Sequence, residues 1–342
     1  MSKKQRFFWI LLTLFIGVIV FVYSFRKVNF KEFCRQIANT NYNWLLIAFL
    51  MIIFYYLTMT WILKILLRPT KVSFWGLIRT PLMEQFGNGI TPFSVGGQPM
   101  QILGLQQAGV SVGEGSSVSL MKFVIYQGMI VVTFLICLVF GYQYVADHML
   151  AMTSLVIFGI IIHVLVLLGL IFIMFFPPIT EKLANIALIP FRWFLSDEQV
   201  NEISLKLDQK ILEFHAVSHK LASDPKKLFE ASCLTLIQLL VYYLIPYFIL
   251  RAVGAENANA IFIVALNVIL TLAISIFPVP GGAGGAEIGF SLLFSSFLAN
   301  HTVTIFAMLV WRLMTYYFGI FAGLLAYNII PNQLDEKNHV DN

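Results

Sequence analysis

Charge is the scarcest commodity in this sequence. Only 11% of its 342 residues are Asp, Glu, Lys or Arg, while 59% are hydrophobic; a soluble domain carries roughly a quarter charged residues. Such a chain cannot coat itself against water and needs lipid as its solvent. Cysteine is nearly as rare. Cys34, Cys137 and Cys233 fall at no pairing interval, which excludes a disulfide framework and a CxxC metal pair. Histidine forms no HExxH. His215 and His219 stand four residues apart, as two ligands on a helix would, but no carboxylate or Cys follows at a matching interval, so they read as a polar face. No Gly-Lys-Ser/Thr closes a phosphate loop, and Glu287 stands where a GxGxxG would have its last glycine. No basic patch is interleaved with exposed aromatics, so the net charge of +5 bears on membrane topology rather than on nucleic acid. Neither a cofactor nor a nucleic-acid partner is expected.

What is abundant is long apolar runs. The mean hydropathy is +0.84, and the runs are continuous rather than alternating, which favours helices over a closed barrel. Phe7–Ser24, after the basic Met1–Arg6, reads as an uncleaved first span with a cytoplasmic N-terminus. Further spans are expected at Trp44–Leu66, Ser119–Tyr142, Leu150–Phe176, Ala231–Leu250, Asn259–Phe277 and Val303–Ile329. The expected fold is all-α: a polytopic helical membrane protein of about seven or eight spans, forming one domain over residues 1–330 with a polar tail at 331–342. The stretch 179–230 is rich in lysine and is placed in the cytoplasm. Inside it Val200, Ile203, Leu207, Ile211, Phe214, Val217 and Leu221 recur at steps of three and four, the period of an amphipathic helix.

Two stretches break this regularity. Pro81–Gly115 contains Thr91-Pro92-Phe93-Ser94 and Gly96-Gly97-Gln98-Pro99; the second break reads Pro278-Val279-Pro280-Gly281-Gly282-Ala283-Gly284-Gly285-Ala286-Glu287. Neither Pro81–Gln107 nor Pro278–Leu298 fits an unbroken span, so both are expected to be broken or re-entrant segments, with their glycine tips meeting near the middle of the bundle. Discontinuous helices at matching places in two halves often form a transporter's substrate site, because half-helix N-termini present open N–H donors and a positive dipole end to an anion. The plainer alternative is tight loops whose glycines pack helices. Arg312 lies well inside the last apolar run, with Thr315, Tyr316 and Gly319 on its face. A cation there needs a partner: either Glu287, as a structural pair, or a lipid phosphate. Lys122 and Tyr126, four apart on an earlier span, are further candidates, although Lys122 is also placed to snorkel to the interface.

With these residues in view, the chain resembles the flippase-like transmembrane family typified by the membrane half of bacterial MprF, a lysylphosphatidylglycerol synthase/flippase. The resemblance rests on Thr91-Pro92 with Gly96-Gly97-Gln98-Pro99, on the Pro278–Glu287 motif and on Trp311-Arg312-Leu313. Many relatives have Glu where this chain has Gln98 and Arg where it has Gln101, so ligand identity does not transfer. The Gly-Gly-Gln-Pro-Met-Gln form is similar to a version found in Gram-positive bacteria, which implies a bacterial cell membrane. In the family a soluble domain aminoacylates a lipid and the membrane part moves it. No transferase domain is recognisable here, so the expectation is a non-enzymatic lipid translocase or lipid-binding carrier. Its substrate would be an anionic or aminoacylated phospholipid, or an isoprenoid-linked glycolipid. A separate lipid synthase or a second copy of the chain are further expected partners. The alternatives are an integral-membrane transferase on lipid-linked substrates, for which Glu84, Glu114 and Glu287 stand too far apart in sequence to make an obvious acid/base set, and a non-transporting partner of a lipid synthase.

Overall fold

The longest helices form where apolar residues run on, and they carry scattered Gly and, in one case, Pro246 without a break. The computed structural model describes residues 29–68, 70, 72–148, 150–189, 197–275, 277 and 279–329. The expected first span at Phe7–Ser24 and the tail lie outside these residues. Helix α1 (Phe30–Asn39) starts at Asn29, whose side chain accepts from the Lys31 and Glu32 amides. Helix α2 (Tyr42–Leu66) follows, then the single turn α3 (Phe74–Leu77). A first helical hairpin is made of α4 (Arg79–Ile90) and α5 (Gly97–Gln107). After it come α6 (Val112–His148), α7 (Leu150–Phe175), α8 (Pro177–Leu188) and α9 (Asp197–Ala222). Helix α10 (Pro225–Ala252) begins at an Asp224 cap with proline in its first turn. A second hairpin consists of α11 (Ala260–Ile274) and α12 (Gly285–Phe294). The last helix is α13 (His301–Arg312), continued through a π-helical turn at Leu313–Tyr317 into α14 (Phe318–Asn328).

Five of these segments are long and apolar enough to cross a membrane: Tyr42–Leu66, Val112–Cys137, Ile157–Phe175, Pro225–Ala252 and His301–Asn328. The protein is a multi-pass helical membrane protein. The stretch expected to span at Asn259–Phe277 is a 15-residue helix, about 22 Å long at 1.5 Å per residue, and it turns back into α12 as the inward arm of the second hairpin.

The two ends of the bundle are fixed by polar contacts. At one end Arg68 pairs with Glu230 at 2.8 Å, and Arg79 Nε donates to the Ala326 carbonyl at 3.0 Å while its Nη2 reaches Gln107. Helix α9 closes this end by burying Ile211, Phe214 and Leu221, with Ser117 Oγ donating to the Phe214 carbonyl at 2.6 Å. At the other end the Asn41 amide donates to the Ala252 carbonyl at 2.9 Å, and Asn300 donates to Glu32 at 2.6 Å. The first hairpin therefore enters from the α9 end and the second from the opposite end.

These elements form two copies of one unit in opposite orientations: a long helix, a hairpin, a long helix. The first copy is α2, α4–α5 and α6; the second is α10, α11–α12 and α13–α14. Helices α2 and α10 pack along each other, and Tyr55 of one meets Tyr242 of the other with ring centres 5.4 Å apart. Each hairpin also packs against the last helix of the other copy. The backbone repeats in detail at the tips. Thr91 has φ −119° and ψ 144°, Val279 φ −119° and ψ 139°; two residues on, Phe93 has φ 53° and ψ 16°, Gly281 φ 62° and ψ 14°. Side chains repeat as well: Tyr55-Tyr56 against Tyr242-Tyr243, Pro92 with Gly96-Gly97 against Pro280 with Gly284-Gly285, and Lys122 with Tyr126 against Arg312 with Tyr316.

Candidate functional site

The tips of the two hairpins pack on each other. In the first, Thr91 Oγ1 donates to the Gly87 carbonyl and accepts from the Gly96 amide, both at 2.8 Å, closing the turn that Pro92 begins. Gly97 lets α5 start against Asn88, whose amide oxygen would lie 1.9 Å from any added Cβ. In the second, Pro280, Gly281 and Gly282 make the turn and Gly284 precedes α12. Gly285 sits against the Phe277 ring.

Arg312 ties the second tip together. Its Nε donates to Glu287 Oε1 at 2.7 Å and its Nη1 to the Gly281 carbonyl at 2.9 Å. Glu287 Oε2 accepts the Gly284 amide at 2.6 Å, so one carboxylate caps α12 and neutralises Arg312. Of the two partners named for Arg312, the protein itself supplies Glu287. Arg312 Nη2 has no hydrogen-bond partner among the described residues. Its guanidinium lies over Tyr316, 5.1 Å from the ring centre. The Tyr316 hydroxyl donates to the Gly89 carbonyl at 2.9 Å, so this residue reaches from the second hairpin's side to the first.

A second pair lies on the first copy. Lys122 Nζ donates to Glu84 Oε2 at 2.5 Å, and both residues are buried, at 5% and 7% exposure. Lys122 does not snorkel to the interface: it is buried among helices, with its ammonium on a carboxylate. Gln101 Nε2 also donates to Glu84, at 2.6 Å. Ser119 Oγ lies between Gln98 Oε1, at 2.8 Å, and Gln101 Oε1, and its one proton serves either. Tyr126, Tyr55 and Tyr56 lie within electrostatic reach of Glu84, and Tyr242 lies within reach of Arg312 and bonds to Thr315. No hydrogen bond joins the two pairs directly among the described residues.

The sequence reading brought together Arg312, Glu287, Tyr316 and both tips but missed Glu84, Gln101, Ser119 and the tyrosines of α2 and α10. The signal for Glu84 is the one that points to Arg312: an ionisable residue in apolar surroundings, here a mildly apolar helix. Among the described residues no group of His, Cys, Asp and Glu is arranged to hold a metal ion; His215 Nδ1 meets the Met174 carbonyl instead, at 3.1 Å.

Residues 10–323 match the family described as lysylphosphatidylglycerol synthase TM region. A protein of Archaeoglobus fulgidus described as a UPF0104 membrane protein is 26% identical over 335 residues, covering 93% of this chain and 95% of that one. With the match spanning nearly its full length, the chain belongs to the lysylphosphatidylglycerol synthase transmembrane-region family.

Proposed function

We propose that this protein moves an anionic lipid between the two leaflets, its headgroup passing the meeting point of the hairpin tips. The observation that carries this reading is the pair of oppositely inserted hairpins that share one turn geometry and meet beside two buried cations. Inverted repeats with broken helices at mid-depth are the architecture of alternating access. A headgroup needs polar donors at a depth where lipid offers none, and Arg312 Nη2 with the tyrosine hydroxyls of α2 and α6 supplies them.

The two copies also differ as two states of one unit would. The first tip is open, with Phe93 60% and Val95 67% exposed, whereas Pro280 and Gly282 are buried. Tyr316 bonds to the opposite hairpin, while its counterpart Tyr126 makes no such bond among the described residues. Exchanging these roles between the copies would open the path from the other side. We assign the α9 end to the cytoplasm, because Lys64, Arg68, Arg79, Lys210, Lys220 and Lys227 lie there, against Lys31, Arg35 and Arg251 at the other end.

The test is the lipid retained through detergent extraction. Phosphate-bearing anionic lipids should be enriched over the bulk membrane in the wild-type protein and fall to the bulk proportion in a folded Arg312→Ala variant. Bulk composition in both would overturn the reading.

A further inference from the structure

The buried centre has no spare charge. Among the described residues Glu84, Lys122 and Arg312 are the buried Asp, Glu, Lys or Arg side chains, and Glu287 completes the second pair. Lys122 is neutralised by Glu84 at 2.5 Å and Arg312 by Glu287 at 2.7 Å. An anionic headgroup entering a site that is already neutral brings an uncompensated charge into a low-dielectric region, which is strongly unfavourable. The charge is balanced if one carboxylate gives up its cation to the phosphate and takes a proton.

Resting on the translocase reading, we propose that the lipid phosphate binds together with one proton and that Glu84 is the carboxylate that accepts it, making the protein an electroneutral proton–lipid symporter. In this step Lys122 Nζ leaves Glu84 for a phosphate oxygen, and a proton from water bonds to the Glu84 carboxylate. The net charge of the site is the same before and after.

Glu84 is singled out over Glu287 by its surroundings. Glu287 has both oxygens engaged, one by Arg312 and one by the Gly284 amide at the start of α12, where the helix end favours negative charge. Glu84 is in mid-helix. Its Oε2 takes both donors, from Lys122 and Gln101, and its Oε1 has no hydrogen bond among the described residues. The groups bonded to it are Gln101 from α5 and Lys122 from α6, and those within electrostatic reach are Tyr55 and Tyr56 from α2 and Tyr126 from α6. Helix α14, packed against α4, brings no charged residue, and the other charge on α4, Arg79, is engaged at the far end by Ala326. The corresponding arm of the second hairpin, α11, carries no Asp or Glu, so the repeat gives this carboxylate no twin.

The experiment uses the full chain in proteoliposomes with fluorescent phosphatidylglycerol, and fluorescent phosphatidylcholine as a headgroup without net charge. A gradient of about one pH unit should drive labelled phosphatidylglycerol toward the leaflet on the alkaline side, up to about tenfold at equilibrium for one proton per lipid. An imposed membrane potential should not change that ratio. Glu84→Gln, which mimics the protonated state, should exchange the lipid with no bias, and Glu84→Asp should restore the bias. The readout is the final leaflet ratio, not the rate. Wild-type exchange indifferent to the gradient overturns the coupling, and so does an equal bias for phosphatidylcholine. A bias persisting in Glu84→Gln, or no exchange by that variant when folded, overturns the choice of Glu84; if it does not fold, Glu84→Asp without bias does the same. A wild-type protein that moves neither lipid removes the translocase reading and this inference with it.

Discussion

Arg312 and Glu287 were legible in the sequence because each stands alone in apolar surroundings, and an isolated ionisable group at such a place calls for a partner. Glu84 and Lys122 were not paired in that reading, because they lie on different helices and nothing in their local spacing joins them. The cost of breaking either pair follows from burial. Glu287→Ala leaves Arg312 buried with one carbonyl for company and uncaps α12; it should cost about 3–5 kcal/mol, read as a lower unfolding midpoint in detergent. The double variant with Arg312→Ala should recover part of that loss, because the stranded charge is gone. Strictly additive losses would contradict the pairing. Gly281→Ala should also destabilise, since its φ is 62° and its Cβ would stand 2.1 Å from the Tyr316 ring. Loss of the Tyr316 contact with Gly89 should accompany it.

At the scale of elements, both breaks could be read from proline and glycine, and their tips pack together as expected. That they are the same turn was not read, because the first uses Phe93 and Ser94 where the second uses Gly281 and Gly282. All four have positive φ, 53°, 57°, 62° and 60° in that order, a region that costs an L-residue roughly 1–2 kcal/mol. Ser94→Gly should therefore stabilise the fold by about 1 kcal/mol, measured as above; a destabilised variant would show that the side chain outweighs the strain. The amphipathic helix expected within 179–230 is α9, and its docking gives a pH dependence. Ser111 donates to Glu213 and holds its carboxyl below the usual range, with Lys210 adding to the effect. A depressed carboxyl stabilises the docked form above the ordinary Glu value of about 4.3, and that contribution is lost as pH falls through the lowered value. Amide exchange in α9 should accelerate in this acid window, and Ser111→Ala should reduce the pH dependence.

At the scale of the whole molecule, charge placement and the inverted repeat make separate claims. The first is orientation: in a background without native cysteines, Glu256→Cys should react with an impermeant thiol reagent on intact cells and Ser223→Cys only after lysis. The opposite pattern would invert the assignment without touching the repeat. The second claim is that the meeting point of the hairpins is a headgroup path, and leaflet exchange of labelled anionic phospholipid in proteoliposomes tests it most directly. Wild-type protein should exchange the lipid. Arg312→Lys should keep the fold but slow exchange by about tenfold, because an ammonium lacks the planar fork that meets a phosphate with two hydrogen bonds, and a folded Arg312→Ala should slow it by about 10–100-fold, the range for losing a charge-assisted hydrogen bond. Exchange at the wild-type rate by well-folded Arg312→Ala would contradict the central claim.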